Sequence, residues 1–426
     1  MAIDKIYNIF KTCNGISTDT RTLDENSLFV ALKGDNFNGN KFVETAFSNG
    51  AKYCIVDEES AVINSNCILV ENALETLQEL AKFHRNSIGI SIIGLTGSNG
   101  KTTTKELICA VLSKSYNVKA TMGNLNNHIG VPLTLLGFSK DLDFGIVEMG
   151  ANHQKEIEFL SQIAQPDYVV ITNFGKAHLE GFGGVQGVIK GKSELYDYAK
   201  THNKTIFVHA DDNIQVAQAK NYPNVITFGQ APENDFQIKF NSASPFVSLT
   251  FSEQKCQSQL IGAYNFNNIA IAVAIGLHSK VSQESIKEAI ENYVPNNNRS
   301  QILIKDSNKI ILDAYNANPT SMTAAIENFA QIEGTNKVLF LGDMFELGTD
   351  APKEHQSIAN KAAQHFNEQI YLIGSNFFNT ETSQGTRKFK TYQDFERFIT
   401  TQNFKDATIL IKGSRGMALE RILDVL

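Results

Sequence analysis

Between the apolar run IGISIIGLTG and the helical pattern KELICAVLSKS stand eight residues that few folds can accommodate: Thr96-Gly97-Ser98-Asn99-Gly100-Lys101-Thr102-Thr103. Glycines let a backbone turn its N–H groups toward phosphate oxygens, and the helix N-terminus behind them adds a favourable dipole. In such a loop Lys101 reaches the outer phosphates and Thr102 offers its hydroxyl to Mg²⁺. The generic pattern asks for glycine where Leu95 stands, so the shorter form, Gly-x-x-Gly-Lys-Thr-Thr, is the one that fits. A glycine-rich turn without a ligand is the plainer reading, and the Lys-Thr-Thr that follows argues against it.

Further apolar strands, DFGIVEMG, DYVVITNFG, KTIFVHA and NVITFG, alternate with helical segments after this loop. That alternation predicts a mostly parallel sheet covered by helices on both faces. A less regular β stretch, FQIKFNSASPFVSLTFS, precedes a helix around Asn265–His278. The polar segment Pro295–Gln301 reads as a linker. Beyond it KIILDAYN, KVLFLGD, QIYLIGS and TILIKGS form another strand set, closed by a helix over Gly416–Val425. Before residue 88 the elements are short, and LETLQELAKFHRNS has the spacing of an amphipathic helix leading out of them. The expected division is 1–87, 88–300 and 301–426, a length that suits three α/β units.

Polar residues cluster where open α/β sheets bind ligands, at strand ends. Glu148 ends a strand and is a natural oxygen ligand for magnesium. His178 follows the next strand and Lys192 lies on a helix; each alone reads as a surface residue, and a protonated lysine cannot bind a metal. Asp313 suits ribose hydroxyls or a helix cap. Lys412, Ser414 and Arg415 suit a carboxylate, or a solvated pair.

The formal net charge of −7 argues against a nucleic-acid or anionic-membrane binder. Five dispersed cysteines without a Cys-x-x-Cys pair read as reduced thiols. With no signal-peptide core in MAIDKIYNIF and no spanning apolar run, a cytoplasmic chain is expected. The residues alone reach Mg-ATP-dependent phosphoryl transfer in a cleft between α/β units.

TGSNGKTTTKE and GAYNFNN resemble the Mur ligase family, as do STDTR, LFVALKGDNFNG, GNLNNHIGVPLTLL, VEMGANHQKEI, AHLEGFGG, DAYNANPTSM, LGDMFELG and KGSR, across the whole chain. The later motifs are similar to the branch that joins D-alanyl-D-alanine to UDP-N-acetylmuramoyl-tripeptide. The resemblance implies a small uridine-nucleotide domain, a central P-loop ATPase domain and a Rossmann-like C-terminal domain, acting as a monomer. It implies ATP phosphates on Thr96–Thr103, with Thr102 on a first Mg²⁺. Glu148, His178 and Lys192 would hold a second, Lys192 as a CO₂-derived carbamate. Asn265 and Asn268 match adenine ligands, Arg299 an interdomain arginine near the phosphates, and Asp313 the ribose ligand. Asp19, Thr20 and Arg21 lie in the uridine region, and Asn126 and Asn127 in the muramoyl region. Asn316, Lys412, Ser414 and Arg415 fall to the dipeptide. The competing readings are another Mur ligase or a folylpolyglutamate synthase-like ligase, a P-loop kinase or switch, and a scaffold with a vestigial nucleotide loop.

Overall fold

The computed structural model describes every residue except Thr335 and Ser383. It contains three main sheets. The first is parallel, in the order Ile16–Ser17, Ser27–Val30, Ala51–Val56 and Cys67–Leu69. Ser27–Val30 is buried along its length, which is why SLFV shows no alternation. The helix Ala73–Ile88 follows. Asn72 caps it by accepting from the Leu74 and Glu75 amides, and Gly89 ends it in the left-handed region at φ 67°. Its Leu77, Leu80 and Ala81 face the core.

The central sheet has nine strands. Val118–Ala120, Phe144–Glu148, Ser91–Thr96, Tyr168–Ile171, Thr205–His209, Val225–Gly229 and Phe236–Ser242 run parallel. Ser248–Phe251 and Gln254–Gln257 continue it as an antiparallel meander, which accounts for the irregular β stretch. Val118–Ala120 is too short and too exposed to carry a pattern in the sequence. The helix Asn265–His278 is apolar nearly all round because it is buried nearly all round, packed against Lys101–Leu112. Leu107→Ala, at a fully buried position in that contact, is expected to cost about 2–5 kcal/mol. A thermal melt should show a clear fall in midpoint.

The third sheet runs Gln301–Lys305, Asn308–Asp313, Ala407–Lys412, Asn336–Gly342, Ile370–Ile373 and Thr386–Phe389, with only the first strand antiparallel. One expectation needs correcting here. Gly416–Val425 is not a single α-helix but two 3₁₀ turns, Arg415–Met417 and Leu419–Asp424, broken at Ala418 with φ 47°. The break drives Leu419 into the space left by Gly342 and Gly413, where a Cβ would sit 2.7 and 2.8 Å from its Cδ1. Leu419 and Ile422 are then buried at the three-residue spacing a 3₁₀ turn favours. No helix among the described residues is long and apolar enough to cross a membrane.

Candidate active site

Strand Ser91–Thr96 delivers the loop to the carboxyl edge of the central sheet, and helix Lys101–Leu112 carries it away. Two glycines are sterically required. A Cβ on Gly97 (φ 143°) would lie 2.0 Å from Thr172 Oγ1, and one on Gly100 (φ 80°) 2.2 Å from Asn268 Oδ1. The loop is pinned from behind: Ser98 Oγ donates to the Gly175 carbonyl at 2.8 Å, and the Asn99 carbonyl accepts from Thr172 Oγ1 at 2.6 Å and Asn173 Nδ2 at 2.9 Å. Gly100 offers the helix no side-chain cap, so the amides of its first turn are open to an anion. Lys101 folds back to donate to the Gly97 carbonyl at 2.7 Å. Burial lowers its pKa, Glu148 works against that, and Arg299 adds to it.

Glu148 is buried at the end of its strand. Its Oε1 accepts from Asn126 Nδ2 at 2.8 Å, while Oε2 is enclosed without a partner. Its backbone amide donates to Thr121 Oγ1 at 3.0 Å. The buried Lys105 donates to the carbonyl of that same Thr121 at 2.7 Å. Asn265 and Asn268 form a chain behind the loop: Thr104 Oγ1 donates to Asn268 Oδ1, Asn268 Nδ2 to Asn265 Oδ1, and Asn265 Nδ2 to the Ile261 carbonyl.

A cavity of about 550 Å³ opens in front of the loop, lined from both the central and the third unit. Ser98–Thr103, Asn126, Asn127, Glu148, His178, Asn265, Asn268, Arg299, Asp313, Asn316 and Lys412 all reach it. Arg299 lies 3.8 Å above the Tyr315 ring, and its Nε is buried without a partner. An orphaned guanidinium nitrogen, an orphaned carboxylate oxygen and uncapped helix amides fit a triphosphate with its cation.

Several expected residues stand differently. Lys192 is fully buried behind the cavity wall, its ammonium donating to the Ala151 carbonyl at 3.2 Å and lying 5.0 Å from the Phe182 ring. Burial, then the charge of Lys101, holds its pKa well below that of an ordinary lysine. His178, at φ 52°, turns Nδ1 onto the carboxylate of Glu346, and this contact lowers the Glu346 pKa. Lys412 is not solvated: it is buried and paired with Asp313 Oδ2 at 2.6 Å, because the parallel register sets the two side by side. Asp313 caps no helix. That role falls to Asn318, which shares a capping box with Ser321. Ser414 Oγ accepts from the Phe345 amide at 2.9 Å and donates to the Ala317 carbonyl at 3.4 Å, and Arg415 turns outward to Glu420 at 2.5 Å; neither lines the cavity. Asn127 Oδ1 accepts from the Ile129 and Gly130 amides, which orders the start of the helix Gly130–Leu136.

Asp19, Thr20 and Arg21 lie away from this cavity, in the first unit. Arg21 grips Asp19 through Nε at 2.9 Å and Nη2 at 2.6 Å, holding the carboxyl at about 2. The Thr20 carbonyl accepts from Asn49 Nδ2 at 2.8 Å.

Other contacts were not singled out in the sequence. Asn318 Nδ2 donates across the cleft to Asn99 Oδ1 at 2.7 Å, the Lys176 amide donates to Thr320 Oγ1 at 2.9 Å, and the Lys176 ammonium pairs with Glu354 at 2.6 Å. Asn318 and Thr320 sat within the motif DAYNANPTSM and Asn99 within the phosphate loop, whereas Lys176 and Glu354 sat within none.

Comparison with known proteins places this geometry in context. Residues 12–86 match the model for the Mur ligase family, catalytic domain; 95–276 match the Mur ligase middle domain; and 298–415 match the Mur ligase, glutamate ligase domain. The UDP-N-acetylmuramoyl-tripeptide--D-alanyl-D-alanine ligase of Bacillus subtilis is 34% identical, over 96% of this chain and 92% of the relative. The protein of that name from Escherichia coli is 32% identical, over 97% and 94%. Among solved structures, MurF from Acinetobacter baumannii superposes with a TM-score of 0.86 at 28% identity, over 99% and 98%. MurF ligase from Thermotoga maritima, in complex with ADP, gives 0.82 at 26%, over 97% of each chain.

Proposed function

The chain belongs to the Mur ligase family, and on that premise we propose that it is the ATP-dependent, ADP-forming ligase that adds D-alanyl-D-alanine to UDP-N-acetylmuramoyl-tripeptide. One observation carries the site reading: the residues bearing the uncapped first-turn amides after Gly100, the free Glu148 Oε2 and the free Arg299 Nε all line one cavity shared by two units. In this reading residues 1–87 take the uridine nucleotide, 88–300 the ATP phosphates and adenine, and 301–426 the ribose and the dipeptide. Both substrates are small soluble molecules, and the reaction belongs to the cytoplasmic stage of peptidoglycan precursor synthesis.

A carboxylate is a poor electrophile, so it is activated first. The terminal carboxylate oxygen of the tripeptide attacks the γ-phosphorus of ATP and ADP leaves, giving an acyl phosphate. Lys101, Arg299 and the first-turn amides of helix Lys101–Leu112 hold the phosphate oxygens during transfer. Thr102 would hold one Mg²⁺ and Glu148, with His178, a second; bound there, they would neutralise charge on the phosphates. The amine of the dipeptide then attacks the acyl carbon and phosphate departs. The contacts from Asn318, Thr320 and Glu354 hold the third unit against the central one beside the cavity, and the acyl phosphate needs protection from water there. A heavy-oxygen label in the tripeptide carboxylate should appear in the released phosphate. Its absence, with amide still formed, would exclude the acyl phosphate.

Lys192 enters this reading as a carbamate. It is enclosed, it donates to a single backbone carbonyl, and its depressed pKa favours the neutral amine that captures CO₂. A carbamate there would supply the anionic oxygen that an ammonium cannot.

The uridine role of the first unit has its own test. Deleting residues 1–87 would strip Leu77, Leu80 and Ala81 from a shared core, so a point variant is cleaner. Asp19→Ala frees Arg21 and is expected to raise KM for the uridine nucleotide about tenfold with kcat nearly unchanged. Unchanged KM for a folded variant would count against the assignment.

A further inference from the structure

Five residues beyond Lys101, Glu106 lies about 140° around the same helix, facing away from the phosphate loop. Its carboxylate is engaged by the interdomain linker. Tyr293 donates its hydroxyl to Oε2 at 2.5 Å, and Asn297 Nδ2 donates to both oxygens, at 3.0 and 3.1 Å. Burial and the Glu106 charge raise the Tyr293 pKa, so the phenol keeps the proton it donates. Two residues after Asn297 comes Arg299, stacked on Tyr315 with its Nε free. From there the backbone turns sharply, with positive φ at Asn298 and Ser300. Tyr264 and Asp313 then hold Ser300, through its hydroxyl and its amide. One helix therefore presents amides to the cavity at its start and fastens, one turn later, the segment that aims a guanidinium at the same cavity.

We propose that Glu106 is a positioning residue for phosphoryl transfer: by clasping Tyr293 and Asn297 it fixes Arg299 relative to the Lys101 loop. The proposal deepens the ligase reading and rests on it for the role of Arg299. No other charged side chain is hydrogen-bonded to Tyr293 or Asn297 among the described residues.

The test is a double-variant cycle in the full chain. Glu106→Ala is expected to lower kcat by about tenfold to a hundredfold with little change in KM for ATP, the signature of a misplaced group rather than a lost binding contact. Glu106→Gln keeps an acceptor for the phenol and the amide and should recover most of the rate. In an Arg299→Ala background, Glu106→Ala should add less than about a twofold further loss, because it acts through the arginine. Losses that multiply, or an Arg299→Ala chain that keeps wild-type kcat, would overturn the proposal. A second readout does not depend on the reaction. Trypsin, without substrates, should cut after Arg299 faster in Glu106→Ala than in wild type, and equal rates would overturn the clasp. Should wild type fail to ligate at all, the ligase reading fails while the tryptic rates still decide the clasp.

Discussion

Lys101→Ala is expected to cut ADP release by about a thousandfold or more while the fold stays intact. Among the described residues the ammonium is hydrogen-bonded to the Gly97 and Ser98 carbonyls alone, so its loss removes no contact of the apolar core. Its removal loses an attraction to Glu148 and relieves a smaller like-charge interaction with Arg299. The loss appears in transfer, where charge shifts from the γ-phosphoryl group onto the leaving ADP and the nearest mobile cation is gone. Loop amides and Arg299 remain, so ATP binding should weaken far less than turnover. Wild-type-like ligation by a folded Lys101→Ala chain would remove the basis of the assignment.

The second large effect concerns Lys192. Lys192→Ala is expected to lose activity by about a hundredfold or more, as removal of a charge-holding group in a closed site does. A small carboxylate such as acetate should restore part of it by entering the vacated space. Arginine keeps the cation but cannot form a carbamate, so Lys192→Arg should be as inactive as the alanine variant. The site is tight, with a Cβ on Gly191 placed 2.4 Å from Phe182, and arginine could fail through crowding alone. Wild type therefore supplies an independent test. Isotopically labelled bicarbonate should give a carbamate carbon signal that Lys192→Ala lacks, and activity should fall in CO₂-depleted buffer. Full activity in Lys192→Arg, or no carbamate signal in active wild type, would show that the lysine acts as a plain cation.

The sequence was most informative where one local rule governs several residues together. The strand, the glycines and the helix around Lys101 needed only local sterics, and Gly97 and Gly100 do occupy positions that no side chain could share. Strands buried on both faces, such as SLFV and TILIK, declared themselves as apolar runs. What stayed hidden depends on partners distant in the chain. Asp313 and Lys412 are 99 residues apart and meet only because their strands pair in parallel register. Asn99 and Asn318 meet across a cleft between units, and Glu106 was read as part of a loop motif without the linker residues that give it a role. Arg415 and Ser414 form a compact polar motif whose partners in the fold, Glu420 and Phe345, were equally out of reach of the sequence. The final 3₁₀ turns escaped because Ala418 adopts a left-handed conformation that composition does not signal, and Leu419 packs against Gly342 and Gly413 beyond it.

The central claim is that ATP cleavage serves amide formation between two particular substrates. ADP release should be measured with UDP-N-acetylmuramoyl-tripeptide and D-alanyl-D-alanine together, and with each omitted in turn. Sustained release is predicted only with both present, matched one for one by pentapeptide product. Sustained release with the dipeptide omitted, or with both omitted, would contradict the account and point to a kinase or a simple nucleotide hydrolase.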